Sequence, residues 1–304
     1  MNRHKRYVLA LILFFVVSVI WWLSFNNKNY SRIPVVFGPA NTPKTEVEIQ
    51  GKKHLLDIDF GCKFQLVLNN DILSGLKKEP HGTLQERDAT GNTYSSSAYQ
   101  IKKIQIGNRV FNDVIVKETN KDYVLNAVLY SEQDDKNSVF NDKFGVIGRA
   151  LLEKMNLLLD FQNSVIIKCD NINDLEQIGY YVNKLTPSSF EVGRTGFILS
   201  INTTIGKIRL SLDTGSTVSI IRSSAVKEDV HKKQEFGLSY INTPIFEIGN
   251  RDFGRMNLYL HDITPELHEI DGLLGMDFLK NHVIYIDRKN KMIYVGDSTA
   301  SANL

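Results

Sequence analysis

A mostly β chain made of two copies of one unit, behind a single apolar N-terminal span, is the fold class that this 304-residue sequence predicts. Three observations carry it. Short runs alternate apolar and polar residues between Gly, Asn and Asp turns, while helical periodicity is sparse. Two landmarks then recur in the same order: IGNRVF at 106–111 returns as IGNRDF at 248–253, and FGVIGRALL at 144–152 returns as DGLLGMDFL at 271–279. Such paired landmarks mark an internal duplication. Finally, YVLALILFFVVSVIWWLSF at 7–25 is uncharged and long enough to cross a bilayer as a helix.

Taken in order, residues 1–6 form a basic N-terminus with Arg3, Lys5 and Arg6 ahead of the 7–25 span. Basic residues before a span predict that the N-terminus stays cytoplasmic and the body lies on the trans side, periplasmic in a bacterium. A cleaved signal peptide is the alternative, although no small-residue cleavage site follows. A polar linker is expected over 26–44, then a first unit over 45–170, an inter-lobe linker over 171–190 and a second unit over 191–300. Each copy of the second landmark runs on into matching strands. Helix is expected over 173–185 and in short turns after Gly148 and Gly275. In the second unit Ile208, Leu210 and Leu212 alternate with polar residues, as do Val218 and Ile220 with Thr217 and Ser219.

With 42% apolar and 23% charged residues the chain is globular in composition rather than disordered. The formal charge is +2, from 36 basic and 34 acidic residues. Five of the basic residues (Arg3, Lys5, Arg6, Lys28, Arg32) precede residue 33, so the body carries about −3 and no basic stripe for nucleic acid. The seven histidines lack metal-ligand spacing, and the sequence calls for neither a metal nor another cofactor. Cys62 and Cys169 are a pair too few for a disulfide framework; they are either bonded to each other or buried thiols.

The duplication locates a chemical partner for Asp213. Laying HLLDIDFGCKFQLVL over IRLSLDTGSTVSII sets Ile58 on Leu212, Asp59 on Asp213, Gly61 on Gly215 and Phe64 on Val218. Asp213 precedes Gly275 by 62 residues and Asp59 precedes Gly148 by 89, the surplus falling as 12 and 15 residues in two loops. Two carboxylates about 3 Å apart cannot both ionise comfortably. One then keeps a proton to polarise a carbonyl, while the other acts as general base on water. A pseudo-twofold axis delivers one Asp from each unit to the same point.

At Asp213-Thr214-Gly215-Ser216 with Leu273-Leu274-Gly275, and at Asp59, Gly61 and Val146-Ile147-Gly148, the chain resembles the pepsin-like and retroviral-protease-like aspartic proteases. The resemblance implies a bilobal pepsin-like acid-protease fold of two retropepsin-like β-barrel units with the active site between the lobes. It implies Asp213 and Asp59 as the catalytic pair and Thr214, Gly215, Ser216 and Gly61 as supporting loop residues. The hydroxyl after the Asp braces the two loops, and the one after the Gly supports the carboxylate's outer oxygen. It also implies a flap. GTLQERDATGNTYSSSAYQI at 82–101 has hairpin turn chemistry in DATGN, which makes Gly91 and Tyr94 flap candidates; an ordinary exposed hairpin Tyr is the other reading of Tyr94. The first unit departs from the pattern, with Phe60 where a hydroxyl residue is expected and Cys62 in place of the serine.

Three functions follow from these readings. The leading one is a membrane-anchored aspartic endopeptidase that takes a peptide or protein substrate through an Asp59/Asp213 dyad and an activated water, as a monomer. A homodimer with an Asp213–Asp213 dyad is the second. A non-catalytic relative that binds extended peptides in its cleft is the third.

Overall fold

The computed structural model describes residues 30–38, 41–87, 93–119, 144–235, 237–264 and 267–300. The 7–25 span and the hairpin tip at 88–92 lie outside them. Among the described residues no helix is long and apolar enough to cross a membrane.

The chain is mostly β, and its two units repeat one topology. In the first, strand Lys52–Asp59 runs parallel to Gly145–Gly148, which pairs antiparallel with Leu66–Asn69, itself parallel to Arg109–Thr119. In the second, Gly206–Leu212 runs parallel to Gly272–Leu274, which pairs antiparallel with Ile220–Arg222, itself parallel to Met256–His261. The registers also agree: Ile58 stands beside Ile147 as Leu212 stands beside Leu274. The sequence overlay therefore holds in space. Alternation explains the inward faces, with Leu56, Ile58, Leu210 and Leu212 buried in one continuous apolar core. The expected short helices follow each glycine, at Arg149–Leu152 and Met276–Leu279.

A six-stranded layer joins the lobes. Its strands lie in the order Tyr30–Pro34, Val165–Cys169, Leu157–Asp160, His282–Asp287, Met292–Asp297, Thr186–Val192. Leu157–Asp160 of one unit pairs antiparallel with His282–Asp287 of the other, so the duplicated C-terminal hairpins meet edge to edge. Leu158, Ile167, Val283 and Tyr285 bury one face of this layer.

Three local expectations are corrected. The linker expected over 26–44 contains strand Tyr30–Pro34, paired with Val165–Cys169, and strand Pro43–Ile49 begins before its end. Burial of Ser31 and Ile33 on alternate positions explains the first strand, which its polar composition concealed. The helix expected over 173–185 is two 3-10 turns, Ile172–Ile178 and Val182–Lys184. Gly179, at φ 94°, takes a left-handed conformation that ends the first. In the third, Ser219 is buried while Ile220 is half-buried, the reverse of the expected phase. Ser219 Oγ accepts from Gly275 N–H (3.0 Å) and donates to Asp277 Oδ1 (2.7 Å), which satisfies its hydroxyl inside.

Candidate active site

Each candidate Asp is placed by the end of a core strand. Asp59 closes Lys52–Asp59 opposite Gly148, and Asp213 follows Gly206–Leu212 with its N–H donating to Leu274 O at 3.0 Å. Both following loops are tied down in the same way. Arg149 N–H donates to Cys62 O and Met276 N–H donates to Ser216 O, each at 2.8 Å. Gly148 and Gly275 allow this closeness, since a Cβ there would lie 2.2 Å from Phe64 O and 2.3 Å from Val218 O, respectively. Phe64 and Val218 thus occupy equivalent places, as their alignment requires.

The two loops meet face to face. A Cβ on Gly61 would lie 2.7 Å from the Asp213 carboxyl, and one on Gly215 would lie 2.8 Å from the Asp59 carboxyl. Asp59 Oδ1 accepts from Gly61 N–H (2.7 Å) and Cys62 N–H (3.1 Å), while Asp213 Oδ1 accepts from Gly215 N–H (2.8 Å). The carboxyl groups lie within hydrogen-bonding reach of each other. Burial pushes both above the usual carboxylate range. Asp59 is held well above it, because the Asp213 charge and the hydrogen bond to Asp213 add to its burial. The same hydrogen bond pulls Asp213 down, and the Gly215 and Ser216 N–H groups act in that direction too. The pair therefore shares one proton and titrates as a unit. The dyad opens into a cleft of about 380 Å³ walled by both lobes.

No protein-family model and no curated protein sequence matches the chain. Solved structures do. An aspartic proteinase from Irpex lacteus superposes with a TM-score of 0.55 at 12% identity, over 90% of this chain and 100% of its own. The basic 7S globulin from soybean superposes with a TM-score of 0.54 at 10% identity, over 88% and 95%. The chain has the pepsin-like aspartic protease fold. Identities this low show the fold and leave the chemistry to the residues.

Within the pepsin-like frame the supporting residues divide. Thr214 Oγ1 donates to Ile58 O (2.7 Å) and accepts from Phe60 N–H (3.0 Å), a brace across the pseudo-twofold axis. Phe60 cannot return a hydroxyl brace. Its fully buried ring lies against Phe197, with centroids 6.2 Å apart. Ser216 differs from expectation: its hydroxyl donates to Val218 O at 2.7 Å, so the serine bonds its own loop and only its backbone N–H bears on the carboxylate. Cys62 also contributes its N–H, and burial followed by the Asp59 charge pushes its thiol up to about 12, so it stays neutral. Both cysteines are free thiols. The hairpin is present as Glu79–Arg87 paired with Thr93–Ile106, and Tyr94 stands opposite Glu86 near its tip. Gly91 and the Tyr94 side chain lie outside the description.

The described residues include no cluster of His, Cys, Asp and Glu that could hold a metal ion. Sequence reasoning missed Ser219 and three cations in the cleft wall, Lys63, Lys117 and Arg194. The strand alternation around Lys117 reads as an ordinary solvated lysine, and nothing local marks it otherwise.

Proposed function

We propose that the chain is an aspartic endopeptidase in which Asp59 and Asp213 work as an intramolecular dyad. One observation carries this reading: two half-buried carboxyls from equivalent loops face each other in the cleft between lobes, each packed against the glycine of the opposite loop. Fold alone would not suffice, because one similar structure is named a proteinase and the other a globulin.

The chemistry assigns opposite tasks to the pair. The charged Asp213 takes a proton from water as the water oxygen bonds to the scissile carbonyl carbon, and Asp59 gives its proton to the carbonyl oxygen. In the resulting gem-diol, Asp213 passes its proton to the amide nitrogen. The C–N bond breaks, and Asp59 recovers a proton from a hydroxyl. A carboxylic acid and an amine leave, with the dyad restored.

The homodimer reading loses its motive, since one chain brings both carboxyls together. The non-catalytic reading draws on the missing Phe60 hydroxyl, but the Thr214 half of the brace is intact. The apolar 7–25 segment supports anchoring to a membrane with the body on the trans side. Full-length protein, Asp59→Asn and Asp213→Asn should be incubated with an unfolded protein substrate at mildly acidic pH. Cleavage by the parent chain, reduced about 10²–10⁴-fold or more in each variant, is expected. Full activity in Asp59→Asn would refute the intramolecular dyad.

A further inference from the structure

The six-stranded layer that joins the lobes has two faces with different neighbours. Alternation turns Ile33, Leu159, Ile166 and Ile284 inward, into the same core as Ile58 and Leu212, the residues that precede Asp59 and Asp213. Leu158, Ile167, Cys169 and Tyr285 turn outward, where Leu175, Ile178 and Tyr180 cover them. The dyad and its cleft therefore lie on the inner side of the layer, and the segment 172–184 caps the outer side.

The chain enters this layer beside the cap. Tyr30–Pro34 is an edge strand, and Tyr30 stands opposite Cys169, from which the chain turns through Asp170 and Asn171 into the cap. Tyr30 packs against the outer core, and Arg32, opposite Ile167, is exposed on the same face. Asn26, Asn27, Lys28 and Asn29 separate Tyr30 from the end of the apolar 7–25 stretch. Fully extended, this tether reaches about 18 Å. A body of about 270 residues is about 45 Å across, so the tether is too short to bring a bilayer round to the mouth of the cleft. The cap also has the surface for a headgroup layer. Tyr181 is 47% exposed with Lys184 Nζ 4.6 Å from its ring centre, and Asn173, Gln177 and Asn183 are exposed on the same segment. An exposed tyrosine beside a cation suits the boundary between hydrocarbon and water. Lys184 donates to Thr299 O as well, at 2.9 Å, and the acid Glu176 is exposed on the cap, so the tether rather than net charge sets the contact.

Resting on the reading of the chain as a membrane-anchored peptidase, we infer that the cap 172–184 lies on the bilayer surface and that the cleft opens away from it. The cap, the layer and the core above it are packed about 10 Å apart, which holds the dyad on the order of 20 Å from the headgroups. Substrates are then polypeptides free in the aqueous phase, or loops long enough to rise to the cleft. A peptide bond at headgroup level is out of reach.

The test places the full chain in phosphatidylcholine vesicles that contain a lipid spin-labelled on its headgroup. A genetically encoded fluorescent amino acid replaces Glu176 or Asn183 on the cap, Gln85 on the hairpin, or Asp262 between the cleft-lining His261 and Ile263; all four positions are exposed. Fluorescence should be largely lost at Glu176 and Asn183 and retained at Gln85 and Asp262. Quenching at Gln85 or Asp262 as deep as that at Glu176 overturns the inference, as does fluorescence retained at both cap positions. A full chain that fails to float with the vesicles removes the anchor and the inference with it. Cleavage is scored separately. A peptide free in solution should be cut in vesicles as fast as in detergent, whereas the same peptide joined directly to a lipid headgroup should be spared in vesicles and cut in detergent. Equal cutting of the two peptides in vesicles overturns the restriction to substrates in the aqueous phase. No cutting of either peptide in detergent removes the peptidase, and the quenching pattern still decides the orientation.

Discussion

Phe60 donates its backbone N–H to Thr214 Oγ1 across the pseudo-twofold axis at 3.0 Å, while its side chain leaves the axis for the core. One residue thus takes part in the brace through its main chain and abandons it through its side chain. The consequence is a dyad braced by a single hydroxyl. Thr214→Val should leave Ile58 O and Phe60 N–H without that partner and destabilise the protein by about 1–3 kcal/mol. Thr214→Ser should recover most of it. Phe60→Thr, which supplies the missing hydroxyl, should still be destabilising by about 3 kcal/mol or more, because it empties the space beside Phe197. Urea unfolding midpoints check all three.

Gly61 and Gly215 face the opposite carboxyl too closely for any side chain. Gly61→Ala should displace Asp213, and Gly215→Ala should displace Asp59. A displacement of about 1 Å costs roughly 10²-fold in rate, so both variants should lose at least that much in kcat. Gly254→Ala is a useful control for activity, since a Cβ there meets nothing within 4 Å, although its φ of 86° costs some stability. Equal kcat for Gly61→Ala and the parent would remove the close approach as a determinant.

The pH–rate profile should reflect the raised dyad. The active form holds one proton on the pair, and both carboxyls lie above the ordinary carboxylate range. Activity should therefore persist beyond the pH at which an isolated carboxyl has ionised, about 4, and decline only as the pair loses its last proton. A profile that falls off already near pH 4 would contradict the elevated pair.

The same raised carboxyls destabilise the fold at neutral pH. Between the unfolded carboxyl value and the higher folded one, the native state binds more protons than the unfolded chain. Stability then falls as pH rises through that window, and the loss is complete above the folded value. Asp59→Asn removes this titration. Its unfolding midpoint should exceed that of the parent at about pH 8 and the gap should narrow towards about pH 4. An unchanged gap across that range would mean the pair does not carry the slope.

The duplication, the two mostly β units, the match of Asp59 with Asp213 and the short helices after Gly148 and Gly275 were legible in the sequence alone. Those features rest on local signals, alternation and a repeated glycine landmark, which survive without knowledge of what packs on what. Tertiary structure decided the rest. Phe60 reads as a defect in the site until Phe197 is seen to receive its ring. Ser216 reads as a ligand to the carboxylate until its hydroxyl is found on Val218 O, and Ser219 reads as an outward polar residue until Gly275 and Asp277 satisfy it inside. Tyr30–Pro34 reads as linker because its strand partner, Val165–Cys169, comes from far along the chain. Lys117 is the plainest case: a lysine on a strand carries no mark of burial, and it is buried beside a ring from the distant loop that follows Asp59. Sequence determined which carboxyls meet; the packing of distant segments determined how firmly they are held and what charge surrounds them, because side-chain direction and desolvation depend on neighbours that no local pattern encodes.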